Sequence, residues 1–464
     1  MRQNKCVLIL ECLLVLLTFS VCLSGALLLP MDQCPDEPGR RLLSDWLLHK
    51  GTLPTGNEPG IMLMLWEDVN APVLSAASDS GFNGWGFSYA MRPYLSSMIG
   101  AGFEKIASFF TDSPRVLLAA SRMCSVLSIT FCCFFCLKLG HRLFERQTAA
   151  ILFAVVVCFL PQVMFLGMYQ NNDSLSLCAI CMMLYYLVEG YDLKWPIKSC
   201  IGLGISFSIG LLSYYSVYGW LLMGAVFFAV AIIAHSDALD IKRLFFKRSV
   251  LIFGICILLA GWFFVRNAYF HEGDFLGIAS EKISRARMEE QGFVLYPYHC
   301  YRDDGMTIAQ FLRYNNFEWF RMTAESFFGV FGYMLIYLPA VQYGIYYSIL
   351  GCAIILFLAI LLYRKMEWRD RLLMTTMLVS SAITVCLHFW QSYARDYQPQ
   401  GRYVITLILP LAYMLAYGTD KTSLTVRNPK KQKAAELNSA AAHTVLWLVL
   451  FAWAVLGSMM KMIH

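Results

Sequence analysis

The chain has 464 residues, of which 58% are hydrophobic and only 15% are charged, its net charge is +6, and its mean hydropathy is +0.56. Soluble domains carry about 25% charged residues, because polar side chains must cover their surface. This composition excludes a soluble enzyme, a disordered chain and a nucleic-acid-binding protein with a charged face. It leaves a protein that crosses a bilayer several times, whose partners include membrane lipids and no nucleic acid.

Apolar runs long enough to cross a bilayer recur along the chain. The first, at about residues 7–29, follows Arg2 and Lys5 and is longer than the apolar core of a signal peptide, so we interpret it as an uncleaved span. The remaining predicted spans are at about 115–137, 148–167, 174–190, 199–215, 217–234, 249–265, 343–363, 372–390, 403–418 and 443–462. The predicted fold class is therefore an all-α polytopic membrane protein with about eleven transmembrane helices.

Basic residues in the short loops orient these spans. Three to five Lys or Arg occur in each of four short loops: 138–147, 241–248, 364–371 and 419–433. Because such loops stay in the cytoplasm, we expect a multi-pass protein of the cell (plasma) membrane, with its N-terminus inside and its C-terminus outside. Residues 419–441 then form a basic cytoplasmic loop, and residues 442–464 form a C-terminal transmembrane helix.

Two long segments, residues 30–114 and 266–342, fall on the outer side. Segments of this length contain secondary structure of their own. In the first, residues 93–110 place apolar side chains at steps of three and four, which predicts an amphipathic helix lying flat on the bilayer. In the second, the apolar stretch 325–341 is predicted to be a helix docked against the outer leaflet, because counting it as a span would reverse the charge pattern downstream.

The 16 Cys residues do not indicate a disulfide scaffold. Most lie in apolar runs, where a free Cys packs as a small hydrophobe. Only Cys34 and Cys300 fall in the long polar loops, and a bridge between them stays an open question. No Cys/His spacing indicates a metal site, so no residue is assigned as a metal ligand. No cofactor is assigned either, and use of a divalent cation stays open.

An acidic pair follows directly after the first span. Asp36 and Glu37 stand between Pro35 and Pro38, whose rings restrict the backbone. A carboxylate beside the bilayer is suited to accept a proton or to orient a hydroxyl, so both acids are candidate catalytic residues. A solvated turn in which Asp36 caps the next helix fits the same residues.

Arginines mark the predicted outer ends of several spans. Arg402, followed by Tyr403, lies at the mouth of the tenth span, and Arg266 ends the seventh. Arg122 lies inside the second span, where a lone cation is costly and normally has a partner or a function. Planar guanidinium groups suit phosphate. The ordinary alternative is an interfacial residue that reaches lipid headgroups or joins a belt of aromatic anchors.

Further polar residues accompany these arginines. Asn172 and Asp173 fall in the polar turn 169–174 between two spans, although turn-forming residues alone also explain that segment. Arg92 precedes the amphipathic helix, and we expect it to face the same site. All of these acidic, cationic and amide groups fall on the predicted outer side, near the lipid headgroups. A reaction between a lipid-linked phosphate and an external acceptor needs this combination.

Taken in chain order, the motifs resemble the GT-C superfamily of membrane glycosyltransferases that use polyprenyl-phosphate sugars, and more closely its bacterial, largely clostridial members. Seven pieces over about residues 7–418 carry the resemblance: PDEPGRRLLSDWLLHKGTLPTG, SRMCSVLS, LPQVMFLGMYQNNDSLSL, LLSYYSVYG, GWFFVRNAYFHEGDFLG, SFFGVFGYM and QGRYVITLILP. The chain departs from many relatives in two places. Gly39-Arg40-Arg41 stands where His is common, and Tyr214-Tyr215 stands where some have Lys.

The resemblance implies a GT-C-like transmembrane catalytic domain over residues 1–418. An Asp in the first outer loop of such enzymes is thought to act as base on the acceptor hydroxyl, which implies this role for Asp36, with Glu37 as its neighbour. Arginines at outer span ends hold the donor phosphate, which implies Arg402, Arg266 and Arg122. The remaining candidates, for substrate binding, are Asp173, Asn172, Arg92 and Tyr403.

The expected function is inverting transfer of a sugar from a polyprenyl-phosphate donor to an extracytoplasmic acceptor, which is a cell-envelope glycan, lipid or protein. Two other functions stay open. A flippase or transporter for lipid-linked sugars would place polar residues at mid-membrane. A polysaccharide polymerase or ligase would rely on Arg-rich outer loops and would lack an acidic motif after the first span.

Overall fold

The structure is a computed structural model that describes residues 5–55, 61–63, 74–76, 87–235, 241–290, 299–422 and 429–463. Parts of the predicted outer segments 30–114 and 266–342 and of the basic loop 419–441 therefore lie outside the described residues. The α-helices are α1 (Lys5–Leu28), α2 (Glu37–Lys50), α3 (Leu95–Ala107), α4 (Pro114–Ser121), α5 (Met123–Leu143), α6 (Gln147–Cys158), α7 (Pro161–Leu166), α8 (Asp173–Asp192), α9 (Ile197–Leu211), α10 (Tyr218–His235), α11 (Ile241–Cys256), α12 (Trp262–Phe270), α13 (Ile278–Glu290), α14 (Ile308–Gly329), α15 (Ala340–Tyr363), α16 (Trp368–Ala394), α17 (Ile408–Lys421) and α18 (Pro429–Gly457). Two short antiparallel hairpins pair β1 (Ile61–Leu63) with β2 (Leu74–Ala76) and β3 (Val330–Phe331) with β4 (Ile336–Tyr337).

Each predicted span coincides with helix, so the all-α polytopic fold class is confirmed. In the described ranges, nine helices are long and apolar enough to cross a membrane. The predicted spans at 148–167 and 199–215 coincide with the shorter apolar helices α6 and α9, so a count of eleven crossings stays a prediction. The last helix, α18, begins inside the predicted cytoplasmic loop rather than after it.

The stretch 325–341, predicted to be one docked helix, is not one helix. α14 ends at Gly329, β3 and β4 form a hairpin, and α15 begins at Ala340. Between the two strands, Gly332 has a φ of 62° and Met334 has a φ of 64°. Left-handed residues at these positions interrupt a right-handed helix. The prediction was wrong because apolar composition alone does not distinguish a helix from a hairpin.

The amphipathic helix predicted over 93–110 is present as α3. Its inward face carries small and polar side chains: Ser96, Ser97, Gly100, Ala101 and Glu104. Glu104 accepts hydrogen bonds from both Nη atoms of Arg41 on α2, which joins the two helices. The apolar side chain of Ile106 points away from the protein. An outward apolar face supports the prediction that α3 lies on the bilayer.

Cys34 and Cys300 both carry free thiols, so no disulfide joins them. Cys34 is buried, and its sulfur accepts a hydrogen bond from Nη2 of Arg122 at 3.8 Å. The carbonyl of Cys300 accepts a hydrogen bond from the backbone N–H of Asp303 at 3.2 Å in a local turn. Each Cys is therefore part of its own segment.

The centre of the bundle is formed by α5, α6 and α8. α5 packs against α1, α6 and α8, while α6 packs against α17 and α18. Gly140 allows the close approach of α5 and α6, since a Cβ there would stand 2.9 Å from Cα of Ala150. Small residues at such contacts let membrane helices approach closely. We call the end of the bundle where α1 ends and α5 and α8 begin the outer end, following the charge-based prediction.

Gly401 allows the 3₁₀ segment Gly401–Leu407 to approach α14. A Cβ at Gly401 would stand 2.1 Å from the backbone nitrogen of Phe327 and 2.5 Å from the carbonyl oxygen of Thr323. The Gly401 N–H donates to Oγ of Ser326 at 2.7 Å. We expect Gly401→Ala to force these backbones apart and to lower the free energy of unfolding by about 1–3 kcal/mol. The measurement is the midpoint of thermal unfolding of the purified protein in detergent.

The control is Gly344→Ala in α15, because a Cβ at Gly344 would meet no described atom within 4 Å. That variant should leave the unfolding midpoint unchanged or raise it. Equal midpoints for Gly401→Ala and Gly344→Ala would contradict the close approach of α14.

Candidate functional site

Asp36 and Arg402 form an ion pair at the outer end. Nη2 of Arg402 donates to Oδ2 of Asp36 at 2.5 Å, although 366 positions separate the two residues. Asp36 precedes α2 with a φ of 63°, a left-handed conformation that Asp adopts more readily than most residues. The side chain of Asp36 is 21% exposed and that of Arg402 is 5% exposed. The carboxylate of Asp36 is therefore accessible from outside the protein, whereas the guanidinium of Arg402 is nearly buried.

Arg402 uses only part of its hydrogen-bonding capacity. Its Nη2 also donates to the hydroxyl of Tyr403 at 3.0 Å, and this hydroxyl donates to Oε1 of Gln398. Nε and Nη1 are buried and have no hydrogen-bond partner among the described residues. Leaving buried donors unpaired is costly, and a planar guanidinium with two free nitrogens matches a phosphate or carboxylate.

Arg40 and Arg92 add positive charge near Asp36. The backbone N–H of Arg40 donates to the carbonyl of Asp36 at 3.3 Å, so Arg40 lies one helical turn on, and its side chain packs 5.0 Å from the ring of Tyr89. Arg92 packs on the same ring at 5.6 Å and pairs with Glu281, to which its Nε donates at 2.8 Å. Sequence reasoning missed Arg40. The available signal was its spacing of four from Asp36 at the start of a helix.

These charges keep the carboxyl group of Asp36 ionised. Burial by itself raises the pKa of Asp36, but attraction to Arg402 and Arg40, together with the hydrogen bond from Arg402, outweighs burial. The pKa therefore lies below its ordinary value. Asp36 is a carboxylate at neutral pH, and it is a weak base for as long as Arg402 holds it.

Asp173 lies with Arg402 beside a small cavity of about 10 Å³, which has room for about one water molecule. It is the first residue of α8, where the helix dipole favours a carboxylate. The lining residues are Asp173, Ser176, Ser216, Val217, Thr384, Arg402, Tyr403, Ile405 and Thr406. The structure thus brings together three of the predicted site residues, namely Asp173, Arg402 and Tyr403, at a polar cavity next to Asp36.

Glu37 and Arg122 form a second ion pair, which is fully buried. Nε and Nη2 of Arg122 donate to the Glu37 carboxylate at 2.8 and 2.5 Å, and Nη1 donates to the carbonyls of Ala26 and Leu29 at 2.9 and 2.7 Å. Oε1 of Glu37 also accepts from the backbone N–H of Gln170 at 2.7 Å. The pair therefore joins the end of α1, the start of α2, the start of α5 and the turn before α8. All three guanidinium nitrogens of Arg122 are used in these contacts.

Asn172 connects the turn before α8 to the start of α3. Its Nδ2 donates to the carbonyl of Pro93 at 3.1 Å, and its Oδ1 accepts a hydrogen bond from Ser96. Both side-chain atoms are thus engaged within the protein, and the side chain is buried. In this geometry Asn172 holds α3 against the site.

Arg266 lies at the outer end but makes different contacts. Its Nη2 donates to the carbonyls of Leu53 and Pro54 at 2.8 and 2.5 Å, and its guanidinium packs on the ring of Phe270 at 5.2 Å. No contact in the described part of the chain joins Arg266 to the pair of Asp36 and Arg402. The structure instead places Arg40 near Asp36.

Comparison with protein families matches the chain, over residues 74–413, to the family described as "Predicted membrane protein (DUF2142)". This match covers more than two thirds of the chain. No curated protein matches the sequence.

Solved structures share the fold at low sequence identity. ArnT from Cupriavidus metallidurans bound to undecaprenyl phosphate aligns over 98% of this chain and 72% of its own, at 11% identity and a TM-score of 0.53. Its apo state aligns over 97% and 76%, at 10% identity and a TM-score of 0.55. Arabinofuranosyltransferase AftD from Mycobacteria aligns over 97% of this chain and 27% of its own, at 13% identity and a TM-score of 0.49. The likeness to ArnT confirms that the chain has the GT-C fold.

The buried pair of Glu37 and Arg122 predicts an asymmetric response to mutation. Glu37→Gln leaves the charge of Arg122 buried without its counter-ion, and we expect the free energy of unfolding to fall by about 3–5 kcal/mol. The double variant Glu37→Gln/Arg122→Gln removes both charges and should recover part of that loss. The measurements are the yield of folded protein and its midpoint of thermal unfolding.

The control is Glu145→Gln, which removes a carboxylate that pairs with Lys421 but is 78% exposed. This variant should match the wild-type protein, because exposed ion pairs contribute little. Stability of Glu37→Gln equal to that of Glu145→Gln would contradict the role assigned to the buried pair.

The lowered pKa of Asp36 predicts a pH window. A carboxyl whose pKa falls on folding stabilises the folded state above its unfolded pKa of about 3.9, and this contribution disappears as the pH falls through the lower folded value. We expect wild-type protein to unfold at a higher temperature than Asp36→Asn at roughly pH 5–7, with the difference shrinking below about pH 3.9. Identical unfolding temperatures at every pH would show that the ion pair contributes nothing to stability.

Proposed function

We propose that this chain, which belongs to the DUF2142 family of membrane proteins, transfers a sugar from a polyprenyl-phosphate carrier to a hydroxyl group at its outer end. One observation carries the proposal. The nearly buried guanidinium of Arg402 holds the reachable carboxylate of Asp36 through Nη2, while its Nε and Nη1 are unpaired among the described residues. The GT-C fold supports this class of reaction, and ArnT was solved with undecaprenyl phosphate bound.

The donor phosphate binds at Arg402. The two unpaired nitrogens suit two phosphate oxygens, and the buried positive charge of Arg40 lies one helical turn beyond Asp36. As the bond between the anomeric carbon and the phosphate oxygen breaks, negative charge develops on the departing polyprenyl phosphate. Fixed positive groups lower the barrier for this step, because they require no reorganisation when the charge appears.

Asp36 acts on the acceptor. In the structure its pKa is lowered by Arg402 and Arg40. Once those arginines share their charge with a phosphate, the pKa of Asp36 moves back toward its ordinary value, so the carboxylate becomes a better base. Asp36 then takes the proton of the acceptor hydroxyl while the acceptor oxygen attacks the anomeric carbon from the face opposite the phosphate. The configuration at that carbon inverts.

The other residues of the site hold these groups and the sugar. Tyr403 connects Arg402 to Gln398 and fixes the guanidinium. Asp173 and the hydroxyls of Ser176 and Thr406 lie beside Arg402, and we assign them to contacts with the sugar once the donor is bound. Arg92 orders the loop beside Asp36 through Glu281.

The location of the reaction follows from the charge pattern. Where the structure describes them, the four basic loops predicted to be cytoplasmic lie at the end of the bundle opposite to Asp36, which supports an extracytoplasmic site in a plasma-membrane protein. The acceptor would then be a cell-envelope glycan, lipid or protein. Each carboxylate of the site has an arginine near it, so we assign no metal ligand there.

The test is sugar transfer by the full-length protein in proteoliposomes. The donors are undecaprenyl-phosphate-linked sugars, and the acceptor is a cell-envelope fraction. We expect Asp36→Asn to lower the transfer rate on the order of a hundredfold or more, because it removes the base. We expect Arg402→Gln to lower the rate on the order of a hundredfold. The rate of Arg402→Lys should lie between those of the wild-type protein and Arg402→Gln, because Lys keeps the charge but loses the planar fork.

The matched control is Asp303→Asn, which removes a carboxylate of the second outer segment that is 71% exposed, and its rate should equal that of the wild-type protein. Wild-type transfer by Asp36→Asn would remove Asp36 from the base role. Movement of labelled donor across the bilayer without transfer would identify a lipid-linked sugar transporter instead. Transfer of whole polysaccharide chains alone would identify a polymerase or ligase.

A further inference from the structure

Four Cys thiols meet inside the helix bundle, away from the site at the outer end. Cys132 and Cys136 are one turn apart on α5, Cys158 ends α6, and Cys181 lies in α8. All four are buried. The sulfurs of Cys132, Cys136 and Cys158 all lie within 4.8 Å of one another. The sulfur of Cys181 lies 3.3 Å from that of Cys132 and 3.7 Å from that of Cys136.

The sulfur spacing suits a single metal ion. Metal–sulfur bonds of about 2.3 Å in tetrahedral geometry place neighbouring sulfurs about 3.8 Å apart. The sulfurs of Cys132 and Cys158 are 3.9 Å apart, and the sulfurs of Cys132, Cys136 and Cys158 are close enough together to share one ion. Cys181 contacts Cys132 at 3.3 Å and Cys136 at 3.7 Å and lies beside this trio rather than within it. Packing of thiols as small hydrophobic groups accounts for single contacts of this length. It gives no reason for thiols from three helices to converge on one point.

The apolar surroundings and the sulfur ligands together determine which ion can bind. Cys132 and Cys181 each lie about eight or nine residues into their helices, so roughly 12–14 Å from the outer end at 1.5 Å per residue. This depth is near the middle of an apolar core about 30 Å thick. Thiol sulfur favours soft ions such as Zn²⁺ and Cu⁺ over Mg²⁺ or Ca²⁺. Coordinating thiols bind as thiolates, so three of them leave a Zn²⁺ site with a net charge of −1, half the charge that a fourth thiolate would bring to the apolar core.

We propose that Cys132, Cys136 and Cys158 bind one thiophilic ion, Zn²⁺ or Cu⁺, inside the membrane-embedded bundle. Binding forms a metal–sulfur bond at each of these thiols and releases one proton to water from each, because a coordinating thiol binds as a thiolate. The ion ties α5 to α6, and Cys181 of α8 packs against Cys132 and Cys136 at the same place. Because α5 begins directly after Arg122 and α8 begins at Asp173, this packing fixes the spacing of the two helix ends that carry the candidate site.

The experiment measures metal in the full-length protein, purified in detergent without chelators or metal-affinity resin. Elemental mass spectrometry should find about one equivalent of zinc or copper per chain, and the element found distinguishes the two ions. Cys132→Ala and Cys158→Ala should retain less than about a tenth of it. The control is Cys200→Ala, which removes a buried thiol of α9 that contacts the carbonyl of Trp195 instead, and it should retain the full equivalent.

A second measurement decides the question if the cluster variants do not fold. Wild-type protein stripped with a chelator is reloaded with Zn²⁺, with Cu⁺ or with Co²⁺, whose thiolate complexes absorb strongly. Stoichiometric reloading, a thiolate-to-cobalt absorption band and a higher midpoint of thermal unfolding are expected. Wild-type protein with less than about a tenth of an equivalent, both as purified and after reloading, would overturn the proposal. So would a disulfide between Cys132 and Cys181 in the folded protein.

Discussion

The buried ion pair between Glu37 and Arg122 is the constraint on which the arrangement of the candidate site depends. It joins the end of α1, the start of α2 and the start of α5, and it also anchors the turn before α8 through the N–H of Gln170. Water does not reach a guanidinium buried this deeply, so the protein must supply its counter-ion and all of its hydrogen-bond acceptors. Since Asp36 directly precedes Glu37, its position at the outer end follows from this pair.

Two neighbouring carboxylates thereby acquire different properties from different surroundings. Glu37 faces an arginine whose nitrogens are all engaged, and its side chain is completely buried. Asp36 faces an arginine with unpaired Nε and Nη1 among the described residues, and it remains partly exposed. The first arrangement holds segments together. The arrangement of Asp36 and Arg402 leaves guanidinium nitrogens and an exposed carboxylate for a substrate to contact. We therefore assign the chemistry to Asp36 and a positioning role to Glu37.

The helices could be predicted from the sequence because the length and apolarity of each span are local properties. The hairpin after Gly329 could not, since its residues are as apolar as the helices on either side. For the site, the sequence placed Asp36 and Arg402 on the same outer side near the lipid headgroups, and the structure brings the two side chains into contact. The partners of Arg122 and Arg266 depend on which distant segments pack together. Neither composition nor spacing contains that information.

Under the proposed function, the ion pair of Asp36 and Arg402 also couples donor binding to the proton affinity of the base. A phosphate at Arg402 competes with Asp36 for the same positive charge and so raises the pKa of Asp36. By thermodynamic linkage, a proton on Asp36 must strengthen phosphate binding at Arg402 by the same factor. In the proposed reaction, Asp36 is a weak base without a donor, because Arg402 lowers its pKa. A bound donor then makes the same carboxylate a stronger base, so one shared guanidinium sets the proposed order of events.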